Sequence, residues 1–335
     1  MIDTKTNPNG KVAVSTPAAA EPILGKKLTS YVLMTAAHNE EADIENTIKS
    51  VLAQTVLPAR WLIVSDNSTD RTDEIVQRYA DEYDFIRFLS RKRPPGRSFA
   101  AKIVALRAGT HLLQDVSSDF IGNMDADLTI EPTYFEDLMR QFELNPRLGL
   151  AGGFVYEKVD GAFATRGANR VSSVAHAAQL VRRELYEAFG GYAVLPYGGE
   201  DWHAQTSVRS MGWEAESVPE LKIYHHRPTG GGSARLRSAY ILGKEDYSFG
   251  THPVFELIKC AIRLPHPPFV IGAIVRMAAF AGSMIRREPF QISPELVAYL
   301  RKEQKERMLA YVGIRTKNST ANSAASPAAD KGDRS

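Results

Sequence analysis

The first half of the chain alternates short apolar segments with amphipathic ones, and this alternation constrains the fold more than any other feature of the sequence. Four apolar segments are predicted to be buried strands, at residues 31–37, 61–65, 85–89 and 120–124. The segments between them carry apolar side chains at the three- and four-residue spacing of helices. Strands that alternate with helices pair in parallel through right-handed crossovers. We therefore predict an α/β fold with a mostly parallel sheet flanked by helices.

The second half is predicted to be less regular. Residues 150–156 and 218–224 are predicted strands. Residues 170–189 are predicted to form a long helix, because apolar side chains recur there every three or four positions. A glycine-rich turn at Gly198 and Gly199 is predicted to open a further helix with two acids in its first turn.

Acidic residues follow three of the predicted strands at the point where each strand ends. Glu40 follows the first strand, Asp66 the second, and Asp125 and Asp127 the fourth. The carboxyl ends of parallel strands lie at one edge of a sheet, so we expect these side chains to face one crevice. Residues i and i+2 of an extended strand point to the same side, which lets Asp125 and Asp127 converge on Mg²⁺ or Mn²⁺. The alternative for this pair is two acids that cap a turn.

Composition places the chain among ordinary globular proteins. Its 335 residues carry a formal net charge of +2, which predicts no nucleic-acid partner. A single cysteine, Cys260, excludes an internal disulfide framework and fits a reducing cytoplasm. Residues 1–27 and 316–335 are rich in small and polar residues and are expected to be disordered tails. The first of these segments shows no apolar core followed by a cleavage site, so no signal peptide is predicted.

Five short motifs follow one another at a spacing that is typical of one enzyme family. They occupy residues 35–41, 66–72, 125–127, 198–202 and 225–227. Together they resemble the family 2 glycosyltransferases, which use nucleotide-activated sugars and have the glycosyltransferase A fold, a mixed, mostly parallel sheet flanked by helices. The resemblance covers about residues 28–228. One departure is that Ala36 and Ala37 stand where the family often has a proline.

The resemblance implies a donor side and a metal site in the predicted crevice. The implied donor-nucleotide residues are Ala37, Asn39, Glu40, Asp66, Arg97, Lys102 and Asp125. The implied ligands of a Mg²⁺ or Mn²⁺ cofactor are Asp125, Asp127 and His226. Capping of loops and helices is the alternative for Glu40 and Asp66, and a core or surface histidine is the alternative for His226.

The resemblance also implies an acceptor side. It assigns Asp201 as the general base, with Glu200 as a second catalytic acid beside it. The implied acceptor-binding residues are Trp202, Arg182 and Arg183. Acidic residues in the first turn of a helix and basic residues in its last turn also interact favourably with the helix dipole. This interaction is the alternative for Glu200 and Asp201, and for Arg182 and Arg183.

Residues 28–235 are expected to form the catalytic domain, and residues 236–315 a C-terminal helical extension that associates with a membrane. The segment 269–285 is apolar except for Arg276, which makes it short for a spanning helix and suited to the membrane interface. Arginines at 263, 276, 286 and 287 would meet anionic headgroups, while side chains at 269, 271, 274 and 280 enter the boundary layer. A helical hairpin that covers the catalytic domain or forms a dimer contact is the alternative.

These features predict an inverting, metal-dependent glycosyltransferase of the hexosyltransferase type. The donor is expected to be a UDP-, GDP- or dTDP-sugar, and the acceptor a hydroxyl of a glycan or of a lipid-linked glycan in polysaccharide or glycolipid synthesis. The expected location is cytoplasmic and peripheral, at the cytoplasmic face of the inner membrane. A sugar-nucleotide nucleotidyltransferase is disfavoured because the first loop is acidic rather than glycine-rich and basic. A non-catalytic nucleotide-sugar-binding subunit remains open, whereas a dehydrogenase is disfavoured because no G-x-G-x-x-G follows the first strand.

Overall fold

A computed structural model describes residues 29–92, 100–159, 161–227, 235–264 and 269–311. The strands within these ranges are β1 (Tyr31–Ala37), β2 (Arg60–Asp66), β3 (Ile86–Arg91), β4 (Phe120–Met124), β5 (Leu128–Ile130), β6 (Leu148–Val159), β7 (Ala162–Thr165), β8 (Ala178–Arg182) and β9 (Glu214–His225). The α-helices are α1 (Ile44–Leu52), α2 (Thr72–Glu82), α3 (Ala101–Gly109), α4 (Tyr134–Leu144), α5 (Arg183–Ala188), α6 (Glu200–Ser210), α7 (Arg235–Ser248), α8 (Pro253–Arg263), α9 (Phe269–Ile285) and α10 (Pro294–Tyr311). A short 3₁₀ helix at Thr110–Leu113 follows α3.

The strands form one mixed sheet, which confirms the predicted α/β architecture. Their order is β3-β2-β1-β4-β8-β6-β9-β5, with β7 paired to β6. Strands β1 to β4 are mutually parallel, as the alternation predicts, so their carboxyl ends share one edge. Beyond β4 the direction changes, because β8 runs antiparallel to both β4 and β6.

Successive side chains of the central strands point to opposite faces of the sheet, and each face carries its own hydrophobic core. Tyr31 and Leu33 lie in the core under α1, α2 and α4, whereas Val32 and Met34 lie in the core on the α3 side. All four side chains are fully buried. Burial on both faces gives β1 a continuous apolar sequence, which is the pattern expected of a central parallel strand.

The predicted helix at residues 170–189 is wrong. The structure places strand β8 at Ala178–Arg182 and a short helix, α5, at Arg183–Ala188. Strand β8 is buried on both faces between β4 and β6, so its apolar residues do not alternate. Periodicity alone cannot separate such a short apolar strand from a buried helix.

The C-terminal helices pack against the sheet domain and against one another. Helix α10 places Val297 and Leu300 in a small core with Phe249, which lies just beyond α7. Helices α7 and α9 approach closely at Gly243, where an added Cβ would lie 2.2 Å from the Arg276 carbonyl oxygen. A glycine at this position therefore sets the distance between the two helices.

Arg276 and Phe280 do not lie on the exposed surface, which corrects the prediction that they face a membrane. Arg276 is 4% exposed and Phe280 is 2% exposed. The Arg276 guanidinium pairs with Asp246 of α7 and with Glu256 of α8, and its Nε lies 2.6 Å from Glu256 Oε1. The charge that interrupts the apolar segment is thus buried in ion pairs. Among the described helices, none has the length and apolar character needed to cross a bilayer.

Candidate active site

The loops after β1 and β2 are tied together at the carboxyl edge of the sheet. Asn39 adopts a left-handed conformation with φ of 56°, and its side-chain oxygen accepts a 2.8 Å hydrogen bond from the Thr69 backbone N–H. The Glu40 backbone N–H donates to Thr72 Oγ1 at 2.8 Å. Asp66 ends β2, is 4% exposed, and lies 3.5 Å from Arg91 Nε. The bonds of Asn39 and Glu40 hold the loop after β1 against the loop after β2, at the end of the strand that Asp66 closes.

Asp125 lies at the end of β4 and is paired with Lys102 of α3. The Lys102 ammonium donates to Asp125 Oδ1 and, at 3.1 Å, to the His176 carbonyl oxygen. Burial raises the pKa of Asp125, and the charge of Lys102 partly offsets this effect. Lys102 therefore lies beside Asp125, and its predicted role in donor binding stays a prediction.

Asp127 is 5% exposed and is held by two basic side chains. His225 Nε2 lies 3.0 Å from Asp127 Oδ2, and Arg227 Nη2 lies 2.9 Å from the same oxygen. Burial alone would raise the pKa of Asp127, but its hydrogen bond to His225 and the nearby positive charges lower it overall. Arg227 Nη2 also donates to Glu40 Oε1 at 2.7 Å, so it joins two walls of the crevice.

The structure brings His225, rather than His226, to the predicted metal carboxylate. His226 Nε2 lies 2.9 Å from Thr129 Oγ1, and the His226 ring packs edge-on against Phe163. Successive strand residues point to opposite sides, so the two histidines at the end of β9 cannot both face Asp127. Burial alone would lower the pKa of His225, but its hydrogen bond to Asp127 raises it overall.

The acidic pair Glu200 and Asp201 opens α6 after a left-handed glycine. Gly199 has a φ of 88°, and an added Cβ there would lie 2.6 Å from the Phe249 ring. Burial raises the pKa of Asp201, while its bond from the Trp202 backbone N–H at 2.7 Å and the charge of Lys102 oppose that shift. A carboxylate with a raised pKa is a stronger base than an ordinary aspartate.

Asp201 also lines a cavity of about 110 Å³ on the side of the molecule formed by β6 and β9. Arg166, Asn169 and Ser173 contribute polar side chains to its wall. The cavity is too small for a whole sugar nucleotide but has room for polar groups beside Asp201.

Lys102 connects the two acidic groups electrostatically. Besides its contact with Asp125, its positive charge lowers the pKa values of Glu200 and Asp201, although burial keeps both above their usual range. The contacts give the same connection, because Lys102 donates to the His176 carbonyl oxygen at 3.1 Å and His176 Nδ1 lies 4.0 Å from Glu200 Oε1. The end of β4 and the start of α6 are therefore linked through Lys102 and His176.

Two residues near the crevice were not recognised from the sequence. His176 is 6% exposed, and its Nδ1 lies 4.0 Å from Glu200 Oε1. Burial lowers its pKa well below the usual range. Glu245 of α7 packs against Gly199, and burial together with the charges of Asp246 and Asp201 raises its pKa to about 8. His176 was concealed by the incorrect helix prediction, and no local pattern identifies Glu245.

Two of the three predicted acceptor residues, Arg182 and Arg183, lie away from Asp201, whereas Trp202 directly follows it in α6; one predicted donor residue is not described. Arg182 pairs with Phe120 at the start of β4, the end opposite to Asp125, and its Nε donates to the Leu148 carbonyl oxygen at 2.7 Å. Arg183 Nε donates to Ser118 Oγ at 3.1 Å in the same region. Trp202 stacks on Phe249 with ring centroids 4.3 Å apart. Arg97 lies outside the described residues.

The side chains at the carboxyl edge fit part of a metal site. Carboxylate oxygen and imidazole nitrogen are suitable donors for Mn²⁺, and carboxylates for Mg²⁺. Asp125, Asp127 and His225 supply these donors, but nowhere in the described ranges are three His, Cys, Asp or Glu side chains arranged to hold an ion by themselves. Ions that bind nucleotides commonly use one or two carboxylates together with phosphate oxygens. The donor set therefore fits an ion shared with a diphosphate.

Comparison with known sequences identifies the family. Residues 33–193 match the model of glycosyl transferase family 2. The probable glycosyltransferase YdaM of Bacillus subtilis is 34% identical over 224 residues, covering 61% of this chain and 52% of that protein. The poly-beta-1,6-N-acetyl-D-glucosamine synthase of Staphylococcus aureus is 28% identical over 127 residues, covering 38% of this chain and 29% of that enzyme. The chain thus spans about half of the first relative and less than a third of the second.

Solved structures confirm the fold. Mannosyltransferase PcManGT from Pyrobaculum calidifontis, in complex with GDP-Man and Mn²⁺, shares 16% identity at a TM-score of 0.50, with 86% of this chain and 87% of that one covered. GalNAc-T7 with UDP, GalNAc and Mn²⁺ shares 14% identity at a TM-score of 0.53, with 86% and 57% covered. The sheet is that of the glycosyltransferase A fold. On these matches, residues 33–193 form a family 2 glycosyltransferase domain.

Proposed function

We propose that this protein transfers a sugar from a nucleoside-diphosphate donor to an acceptor hydroxyl, with inversion at the anomeric carbon. The observation that carries the proposal is the position of Lys102, which donates to Asp125 and to the carbonyl oxygen of His176, a residue whose Nδ1 lies 4.0 Å from Glu200 Oε1. This arrangement supports a metal- and phosphate-binding wall at the end of β4 and a basic carboxylate on a separate helix, α6. Inverting transfer needs both features, because the leaving group and the base act on opposite faces of the sugar.

The donor side is assigned to the loops after β1, β2 and β4. Glu40 and Asp66 would bind the base and ribose, and Lys102 would meet the diphosphate. Asp125 and Asp127, with His225 beside Asp127, would hold a divalent ion. When bound, such an ion stabilises the negative charge that develops on the departing diphosphate. Mn²⁺ and a sugar nucleotide in PcManGT, and Mn²⁺ with UDP in GalNAc-T7, support this assignment.

The acceptor side is assigned to the start of α6. Asp201 would accept the proton of the acceptor hydroxyl as that oxygen attacks the anomeric carbon. Its partial burial raises its pKa, which brings its basicity closer to that needed near neutral pH. Glu200 lies one residue before it, 4.0 Å from His176, and would shape the electrostatics around the same hydroxyl.

Donor binding is tested by a thermal-shift panel of UDP-, GDP- and dTDP-sugars with Mn²⁺. A ligand at a hundredfold excess over its Kd adds about 2.7 kcal/mol to the free energy of unfolding, which raises Tm measurably. We expect one nucleotide class to raise Tm, and EDTA or Asp127→Ala to remove most of that rise. Asp81→Ala, at an exposed position on α2, is the matched control. Equal shifts with and without EDTA would contradict the metal role.

The acceptor is proposed to be a growing or lipid-linked glycan at the cytoplasmic face of a membrane. The synthase relative, named for a polysaccharide product, supports the glycan. Helices α8 and α9 support the location, because they expose many large apolar side chains: Val254, Leu257, Ile262, Leu264, Phe269, Val270, Ile271 and Ile274. The exposed arginines at 263, 286 and 287 flank this surface and complement anionic headgroups.

Vesicle flotation tests this location. Ile271 and Ile274 are each 61% exposed on α9, so replacing both with serine should reduce vesicle binding without disturbing the core. The wild type is expected to float with phosphatidylglycerol vesicles and less well with phosphatidylcholine vesicles. Val171→Ser, at a residue 41% exposed outside these helices, should behave as the wild type. Unchanged flotation of the double variant would exclude this surface.

A further inference from the structure

Arg227 is bound to the two acids that border the proposed donor site. Its Nη2 lies 2.7 Å from Glu40 Oε1 and 2.9 Å from Asp127 Oδ2. Glu40 and Asp127 are 9% and 5% exposed, whereas the Arg227 side chain is 57% exposed. A single guanidinium at the mouth of the crevice therefore neutralises two buried carboxylates that belong to different loops.

Two hydrogen bonds end on the same oxygen of Asp127, Oδ2, and leave it little room to accept a further contact. Both His225 Nε2, at 3.0 Å, and Arg227 Nη2, at 2.9 Å, contact Oδ2. Each carboxylate oxygen has about two lone-pair directions, and the two contacts use both of them. A divalent cation that coordinates this oxygen must displace one of these groups.

Arg227 is the group that a cation would displace. A guanidinium keeps its positive charge at any physiological pH, so it repels a divalent ion on the same oxygen at close range. Arg227 is also more exposed than His225, whose side chain is only 15% exposed, and can turn into solvent without breaking the core. Imidazole in its neutral form can remain beside a metal ion, but a guanidinium cannot serve as a ligand.

We infer that Arg227 is a built-in competitor of the divalent cation: its guanidinium bridges Glu40 and Asp127, and the ion must displace it to coordinate Asp127 Oδ2. This inference rests on the metal role of Asp127 in the proposed function. It assigns to Arg227 a regulatory contact, since ion entry and opening of the Glu40–Arg227–Asp127 bridge are one event. The affinity for the ion is then lowered by the strength of that bridge.

Calorimetric titration with Mn²⁺ alone, in the absence of nucleotide, tests the competition. Arg227→Gln removes the competing charge, so we expect Mn²⁺ to bind about tenfold more tightly, which corresponds to about 1.4 kcal/mol. Arg227→Lys keeps the positive charge but places it on a shorter side chain with a compact ammonium, so an intermediate affinity is expected. Arg147→Gln is the matched control, because Arg147 is 64% exposed and pairs with Glu214 away from the crevice.

Thermal unfolding gives a second readout that does not depend on activity. Without divalent ions, Arg227→Gln should unfold at a lower temperature than the wild type, because Glu40 and Asp127 lose their shared counter-charge. Saturating Mn²⁺ should then raise its Tm by more than it raises that of the wild type. A purely structural role for Arg227 predicts the first effect without the tighter Mn²⁺ binding.

The outcomes separate this inference from the proposed function. If Mn²⁺ binds the wild type and Arg227→Gln equally, or binds the variant more weakly, Arg227 does not compete, while the metal role of Asp127 stands. If Mn²⁺ binds neither protein, even with UDP or GDP present, then the metal role and the competition are both refuted.

Discussion

Replacing Arg276 with alanine is expected to destabilise the protein strongly. Arg276 is 4% exposed and contacts Glu256, whose side chain is fully buried, as well as Asp246 of α7. Removal of one member of a buried ion pair costs about 3–5 kcal/mol, because the partner stays buried without its counter-charge. Lys259 also contacts Glu256, at 3.0 Å, and Asp246. This remaining cation places the expected cost near the lower end, at about 3 kcal/mol.

Thermal unfolding and vesicle binding together test this expectation. A loss of about 3 kcal/mol lowers Tm by about 6 °C if each kcal/mol corresponds to about 2 °C in a chain of this size. Arg307→Ala is the matched control, because Arg307 is 54% exposed and pairs with Glu303 one helical turn away. Its Tm should not change measurably.

The result for Arg276 also distinguishes the buried position from the membrane contact predicted from the sequence. If Arg276 met lipid headgroups, Arg276→Ala would reduce vesicle binding and leave Tm unchanged in the absence of lipid. A Tm within 1 °C of the wild type, with weaker vesicle binding, would therefore refute the buried ion cluster.

Two further predictions concern the turn that carries Asp201 and the basicity of this residue. Gly199→Ala should lower both Tm and kcat, because Gly199 has a φ of 88° and an added Cβ would lie 2.6 Å from a neighbouring ring. Gly212→Ala is the control, because Gly212 has a φ of 85° with open space around it and should show only the smaller cost of backbone strain. Equal effects of the two substitutions would contradict the packing argument. Burial raises the pKa of Asp201, and a general base must be deprotonated, so kcat/KM should fall as the pH drops through a value above about 4, the ordinary aspartate pKa. A flat profile from pH 4 to 7 would contradict that role.

The parts of the fold that follow from local pattern were predictable from the sequence. Strands β1 to β4 and the helices between them carry their own periodicity, and the parallel order follows from their alternation. The carboxylates Glu40, Asp66 and Asp125 then lie at the carboxyl edge because the chain direction places them there.

The errors occurred where tertiary context decides the structure. Strand β8 is central in the sheet, so its apolar residues at 178, 180 and 181 resemble a buried helix. Which of His225 and His226 faces Asp127 depends on the register of the antiparallel strands β5 and β9, in which His225 pairs with Leu128. No local sequence pattern reveals this register. Arg276 is buried because two acids on other helices reach it, and their meeting depends on the packing of α7, α8 and α9.

We propose that Asp201 is the base of an inverting sugar transfer. The most direct test compares the wild type with Asp201→Asn, which keeps the shape of the side chain. Isothermal titration measures donor binding, and release of the nucleoside diphosphate in the presence of the acceptor measures turnover. We expect donor affinity to change less than about threefold and turnover to fall at least about a hundredfold, as for loss of a general base. Normal turnover by Asp201→Asn would contradict the assignment.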